Sequence, residues 1–372
     1  VPKDILRRTL VLRYFEQTHA DPRRNAENAV NAYVAGYLTQ DGIANGAIYA
    51  LLALALVVVF NVTRVILIAQ GEFVSYAALT YAFLQDGHVP GTIALIAALA
   101  LLSCLIDIAL GLARHEGRRA VVRALASLAP PWLAAAFAFL ATQTHLPAFA
   151  NAVATVALIA SAGPVLYRLV YRPISGASVL VLLIVSVALH LVLLGLGLYF
   201  FGPQGGRSAP LVNFSFSLGG VPIQAQTIAI VATTLVLIAA LFTASETTLH
   251  GKALRAAAIN PTGAQLVGIS ASLSGEIAFA IAATIGAICG VLVSAVATIY
   301  YDTGFLLGLK GFVAAILGAL ASFPLAALGA IGLGLLESFS SFFASAFKEV
   351  IVFSLIIPIL VWRSLRTTET EE

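Results

Sequence analysis

Residues Ser178–Phe201, SVLVLLIVSVALHLVLLGLGLYFF, contain no Asp, Glu, Lys or Arg and a single histidine, His190. A helix needs about 20 apolar residues to cross the hydrocarbon core of a bilayer, and this stretch suffices. Ten more apolar stretches lie on either side of it. They are approximately Ile43–Phe60, Val65–Leu84, Thr92–Ala113, Ala124–Thr142, Ala148–Leu166, Thr227–Thr243, Ser272–Thr298, Gly311–Ser322, Leu325–Ser341 and Val350–Trp362. Of the 372 residues 60% are apolar and only 10% are charged. An ordinary soluble domain is about 25% charged, so a water-soluble globule is excluded. The expected fold is all-α, a polytopic membrane helix bundle of about 8–11 spans, some of them broken or re-entrant. Val65–Leu84 is a candidate for breakage because it carries Gln70-Gly71-Glu72, and the two segments flanking Pro324 are short and glycine-rich.

The net charge of +3 is spread in short clusters between apolar runs, which points to membrane orientation and to no nucleic-acid partner. If every segment crosses, one side receives Arg64, Arg114, Arg118, Arg119, Arg123, Arg168, Arg172, Lys252, Arg255, Arg363 and Arg366. The other receives Arg207, Lys310 and Lys348, so the positive-inside rule places the first side in the cytoplasm. The N-terminus is then expected outside and the C-terminus inside. Residues 1–41 form a polar, basic arm whose charges oppose that rule. Either later loops outvote it, or Ile5, Leu6, Leu10, Leu12 and Phe15 give it an apolar face on the membrane surface. No signal peptide is legible in it. Residues 42–366 are read as the transmembrane domain and 367–372 as a polar tail.

Ionisable residues inside apolar spans are costly and therefore candidates for function. Glu72, Asp107, His190, Glu276 and Glu337 qualify. Asp107 is expected to pair with the basic side, His190 to be a hydrogen-bonded packing residue, and Glu276 and Glu337 to be solvated at helix ends. Glu72 stands out, because with Gln70 and flexible Gly71 it forms the kind of interruption that lines binding sites at membrane depth. A structural role for the triplet is the competing reading. Gly286-Ala-Ile-Cys-Gly290 is a GxxxG match that predicts close helix packing. Cys104 and Cys289 read as small core residues. The chain has no Gly-x-x-x-x-Gly-Lys-[Ser/Thr], no His-Glu-x-x-His and no Gly-x-Ser-x-Gly, so no catalytic, cofactor or metal site is legible.

Several motifs together resemble the branched-chain (hydrophobic) amino-acid ABC importer permease family. Asn45-Gly-Ala-Ile-Tyr-Ala-Leu-Leu-Ala-Leu opens the first span, Val65-Ile-Leu-Ile-Ala-Gln-Gly-Glu-Phe the second, and Tyr171-Arg-Pro-Ile lies on an inner loop. Gly251-Lys-Ala-Leu-Arg-Ala-Ala-Ala and Ala264-Gln-Leu-Val-Gly-Ile-Ser are similar to the family's cytoplasmic coupling loop, here 245–270. Gly304-Phe-Leu-Leu-Gly-Leu-Lys-Gly-Phe-Val-Ala-Ala-Ile-Leu-Gly and Gly334-Leu-Leu-Glu-Ser-Phe resemble its closing region. The resemblance leaves out about 113–166, which is expected to be an inserted helical pair. It also departs at the coupling motif Glu-Ala-Ala-x-x-x-Gly, which Thr262-Gly263-Ala264-Gln-Leu-Val-Gly268 meets without the Glu.

The resemblance implies a bacterial inner-membrane transport subunit and not an enzyme. It would form half of a pathway for branched-chain or other small apolar amino acids, or related amides and urea. The implied partners are cytoplasmic ABC ATPases, a second homologous permease, an external substrate-binding protein and membrane lipid, with ATP on the partner subunits and no cofactor on this chain. Gln70, Gly71 and Glu72 are the candidate pathway residues. Gly251, Lys252, Arg255, Thr262, Gly263, Ala264 and Gly268 are the candidate ATPase contact, with Pro261 expected to start a short helix presenting Ala264 and Gly268 on one face; the competing reading is that Gly268 merely ends that helix. The alternative is a stand-alone secondary transporter or channel coupled through Glu72 or Asp107; a scaffold or intramembrane enzyme has no motif in its favour.

Overall fold

The structure, a computed structural model, describes residues 22–113, 118–144, 146–212, 214–218, 221–318, 323–359 and 361. Apolar runs become helices because an unpaired backbone N–H or C=O in hydrocarbon costs several kcal/mol, and a helix pairs them within the segment. The helices are α1 (Pro22–Thr63), α2 (Gln70–Gln85), α3 (Thr92–Ala113), α4 (Arg118–Thr144), α5 (Ala148–Leu166) and α6 (Val179–Phe201). A hairpin of β1 (Ser215–Leu218) and β2 (Val221–Gln224) follows. Then come α7 (Ala225–Thr247), α8 (Leu249–Ile259), α9 (Pro261–Leu266), α10 (Ala271–Ser294), α11 (Thr303–Leu317), α12 (Phe323–Phe343) and α13 (Lys348–Ser354).

Eight helices among the described residues are long and apolar enough to cross a membrane. They lie within α1, α3, α4, α5, α6, α7, α10 and α12, with α5 prolonged by tighter and wider turns to Ile174. Two expected spans are shorter than a bilayer: α2 has 16 residues and α11 has 15, or about 24 and 22 Å of helix. The expected span Val350–Trp362 begins in α13 and is helical again at 356–359 after a turn at Leu355, and residues 360 and 362 lie outside the described residues. Residues 22–41, expected within the arm, are helical and continue into the first span without a break. Residues 1–21 and the tail 367–372 lie outside the described residues.

Two faces of the bundle follow from the contacts at the helix ends. On the first, α1 ends beside α8, where Arg64 Nη2 donates to the Ala258 carbonyl at 3.3 Å. On the second, α10 ends beneath the hairpin segment, with Ser294 and Ser208 hydroxyls 2.7 Å apart. α1 and α10 therefore run in opposite directions. After α1, the non-helical link 64–69 turns back into the bundle, and α2 starts halfway along α10, where Gln70 Nε2 donates to the Ala282 carbonyl at 3.0 Å. α2 then runs to the hairpin face, where Gln85 Oε1 accepts from the Ala209 N–H at 2.7 Å.

The second half repeats this arrangement upside down. After α10, residues 295–302 turn back, and α11 starts against α2 with Gly304 on Gly71 and runs past Ile68 and Ile66 toward the loop face. α10 packs along α2 and α5, while α1 packs along α11 and α12. Such breaks survive at membrane depth because protein covers them: Val65, Leu67 and Ala69 of the first link are all buried.

Small residues set the close crossings, as expected where lipid supplies no hydrophobic drive between helices. The predicted GxxxG pair has its partner in α2: a Cβ on Gly290 would lie 2.4 Å from the Val74 carbonyl oxygen. A second such pair, Gly42 and Gly46, meets Gly334 of α12 and was not singled out in the sequence. The stretch 113–166 holds α4 and α5, and the two are placed differently. α4 lies outside against α3 and α5, whereas α5 is central, with Gly163 seated on the Phe279 carbonyl of α10.

Candidate functional site

The residues Gln70, Gly71 and Glu72 form the first turn of α2 and sit at the point where the two half-helices begin. A Cβ on Gly71 would lie 1.9 Å from the Gly304 carbonyl oxygen, and one on Gly304 would lie 2.1 Å from the Gly71 oxygen. Ser75 Oγ fastens the crossing by accepting from the Gly304 N–H at 2.7 Å. Gln70 and Glu72 are fully buried. Glu72 Oε1 meets His190 Nδ1 of α6 at 2.8 Å, and the imidazole is stacked on Phe305 of α11 with centroids 4.3 Å apart. Tyr76, one turn on, donates to the Leu193 carbonyl at 2.7 Å, so α6 is tied to the junction twice. The carboxylate is paired rather than solvated by a cavity, and it stands in a helix's first turn, where the backbone dipole favours negative charge. Gln70 Oε1 and Glu72 Oε2 have no hydrogen-bond partner. His190 is the packing histidine expected, and its long-range partner is Glu72.

The other candidate ionisable groups divide. Asp107 pairs with Arg172 at 3.1 Å, and Glu276 with Arg168 at 3.2 Å, both toward the loop face. Glu337 is a correction: it is buried two-thirds of the way along α12, not solvated at a helix end. Its partner Lys310 is a second correction, since Lys310 lies inside α11, buried, and is not a loop charge. Lys310 Nζ reaches Glu337 Oε1 at 2.6 Å and Glu349 Oε1 at 3.2 Å, and the Tyr49 hydroxyl donates to Glu337 Oε2. One cation thus joins α11, α12 and α13, and the tyrosine adds α1. Nothing local marks this pairing, because 27 residues separate Lys310 from Glu337.

The loop 245–270 holds two capped helices. Thr248 Oγ1 accepts from the Gly251 N–H at 2.9 Å to start α8, and Asn260 Oδ1 accepts from the Gly263 N–H at 2.9 Å to start α9 at Pro261. Gly251 is needed for the tight turn, since a Cβ there would lie 2.1 Å from the Ala244 carbonyl oxygen. Arg255 Nη2 holds α8 to the end of α7 through the Ser245 carbonyl at 2.8 Å and Glu246 at 2.7 Å. Arg64, at φ 59°, holds it to the end of α1. Lys252 and Thr262 are exposed and Gly263 is partly covered.

The expected face of Ala264 and Gly268 is not formed. Ala264 is buried, and α9 ends at Leu266, after which Gly268 at φ +88° terminates it in the left-handed region. The side chains the loop presents are instead Leu266 and Val267, 85% and 77% exposed, with Leu249 and Ile259. The signal was available as two adjacent apolar residues between the Asn260-Pro261 start and the Gly268 stop. Among the described residues no group of three or more His, Cys, Asp or Glu is placed to hold a metal.

A polytopic helix bundle with two half-helices meeting at its centre, and paired short helices on one face, is the architecture of an integral membrane protein. The model of the family described as branched-chain amino acid transport system, permease component, matches residues 108–360, and the chain belongs to that family. The high-affinity branched-chain amino acid transport system permease protein BraD of Pseudomonas aeruginosa is 30% identical over 226 residues, which cover 59% of this chain and 72% of BraD. The corresponding protein LivH of Escherichia coli is 29% identical over 227 residues, covering 57% of this chain and 71% of LivH. LivH of Salmonella typhimurium is 30% identical over 220 residues, 55% and 69% of the two chains. No solved structure matches the chain. The protein is a multi-pass membrane component of a transport system.

Proposed function

We propose that this permease forms half of the translocation pathway of an ATP-driven importer for branched-chain or other small apolar amino acids, in a bacterial inner membrane. A second homologous permease would complete the pathway, an external binding protein would deliver substrate, and separate ABC ATPases would hydrolyse ATP. The relatives' printed roles support the substrate class. The observation that carries the motor contact is the exposed Leu266–Val267 pair on a loop fastened through Arg64 and Arg255 to two spans. A stand-alone carrier needs no such docking surface.

Replacing Leu266 and Val267 with Asp is expected to weaken co-purification of the ATPase, by about tenfold or more for each apolar side chain removed from the centre of an interface. Membrane insertion should be unchanged because both side chains are exposed. Wild-type assembly and coupled uptake in the double variant would refute the docking role.

The loop face carries Arg64, Arg123, Arg168, Arg172, Lys252 and Arg255, whereas the hairpin face carries Arg207 and Lys348, which supports a cytoplasmic loop and an external N-terminus. Both native cysteines are buried, so single added cysteines report cleanly. In intact cells Lys252→Cys should resist a membrane-impermeant thiol reagent and Gln204→Cys, exposed on the hairpin face, should label; the opposite pattern reverses the orientation.

The junction at Gln70, Gly71 and Glu72 is the proposed hinge of the pathway, where Glu72 controls the seating of α6. Glu72→Gln keeps a hydrogen-bonding oxygen for His190 but puts an amide in place of the carboxyl group at a fully buried site, a change worth about 1 kcal/mol or more. Uptake by normally expressed Glu72→Gln protein is expected to fall severalfold, and unchanged kinetics would confine Glu72 to packing.

A further inference from the structure

A cavity of about 570 Å³ lies under α8, where α7 leaves the bundle. α7 is held to α1 near its middle, where Thr234 Oγ1 donates to the Ala47 carbonyl at 3.4 Å. Toward its end a wedge opens, walled by Val58 and Val62 of α1, Leu241 and Phe242 of α7, and Ile277 and Ile281 of α10. The rim at the loop face carries Asn61, Glu246, His250 and Arg255. The outward side of α7 beside it is apolar, with Leu235, Val236 and Phe242 exposed.

We propose that this wedge binds one phospholipid with a zwitterionic, primary-ammonium headgroup, its acyl chain between the three spans, its phosphate on Arg255 and its ammonium on Glu246. Chemistry at both ends points to this occupant. Left unfilled, an apolar space of this size would forfeit dispersion contacts along its whole lining, and an acyl chain supplies them. The rim offers a cation and an anion together: the Arg255 and Glu246 groups are each nearly half exposed, and both bonds of Arg255 use Nη2 alone. An anionic headgroup satisfies Arg255 but meets Glu246 as a like charge. A choline headgroup has no N–H to donate to Glu246. A branched-chain amino acid carries the right pair of charges, yet its short side chain leaves most of the wedge empty, whereas the volume is that of a site for a much larger ligand. The site shares Arg255 with the loop of the proposed ATPase contact but does not involve Leu266 or Val267, so loss of either can be read separately.

The test is native mass spectrometry of the delipidated full chain in detergent with phosphatidylethanolamine, phosphatidylcholine and phosphatidylglycerol added at equal concentration. Phosphatidylethanolamine should be retained as a single adduct about two- to fivefold more strongly than the others, the worth of a partly exposed ion pair. Glu246→Gln should erase that preference, and Ala258→Trp, which fills the wedge, should remove all three adducts. A benzophenone amino acid placed at Leu241 in an otherwise unaltered chain gives a second readout, with a lipid adduct expected on irradiation in native membranes. Equal retention of the three lipids by the wild-type protein, or irradiation that yields only protein adducts, overturns the proposal.

Discussion

Lys310→Met is expected to cost the fold about 3–5 kcal/mol, the penalty for leaving one partner of a buried ion pair without its counter-charge. That is a large share of a stability of about 5–15 kcal/mol. Glu337 is stranded because it is buried and its other carboxylate oxygen already serves Tyr49. Thermal unfolding of the purified chain in detergent, followed by circular dichroism, should show a markedly lower midpoint. The double variant Lys310→Met/Glu337→Gln should recover most of the loss, since the charge that remains, Glu349, is partly exposed beside Lys348 and the amide still accepts from the tyrosine. An unchanged midpoint in the single variant would mean that Glu337 finds water or another cation, and that the pair does not hold α11 to α12.

Gly71→Val is expected to abolish uptake and to lower the yield of folded protein. Even the first carbon of a side chain would sit 1.9 Å from the Gly304 carbonyl oxygen, so the two half-helices must separate by more than an ångström. Overpacking costs about 1–3 kcal/mol where side chains can adjust, and here the obstacle is backbone on both sides. Gly332→Ala is the control, because nothing lies within 4 Å of a Cβ at Gly332. Comparing uptake and fluorescence-detected size exclusion for the two variants separates a crowded contact from a general need for glycine. Normal transport by Gly71→Val protein would show that the crossing opens without cost.

Composition and apolar length made the bundle legible, and the segments Thr92–Ala113 and Ala148–Leu166 are bounded as the sequence predicts. Hydropathy alone could not say that the segments at Val65–Leu84 and Gly311–Ser322 become half-helices, because an apolar residue is equally at home facing lipid or protein; the triplet Gln70-Gly71-Glu72 and the glycine-rich sequence before Pro324 pointed to them, but the same argument failed for Leu325–Ser341, which lies in a full-length helix. The start of α1 was missed for a related reason: polar residues such as Gln40 and Asp41 mark where a helix leaves the apolar core, not where it stops being a helix. Pro261 and Gly268 were readable from backbone restriction alone, so α9 begins where its proline requires; its exposed face needed coordinates. The partnerships Glu72–His190 and Lys310–Glu337 join residues 118 and 27 positions apart, and no local rule of spacing reaches that far.

The inverted arrangement of the half-helices has a mechanical asymmetry. Both α1 and α10 are anchored at the loop face, yet they hand on a displacement over unequal lengths. From the end of α1, six residues of link reach Gly71. From the start of α10, the covalent path to Gly304 is 24 residues of helix, about 36 Å, followed by the return along 295–302. One side of the glycine crossing is on a short tether and the other on a long one. A push at the loop therefore arrives at the crossing as shear rather than as joint translation, at the one place where the two backbones touch with no side chain between them.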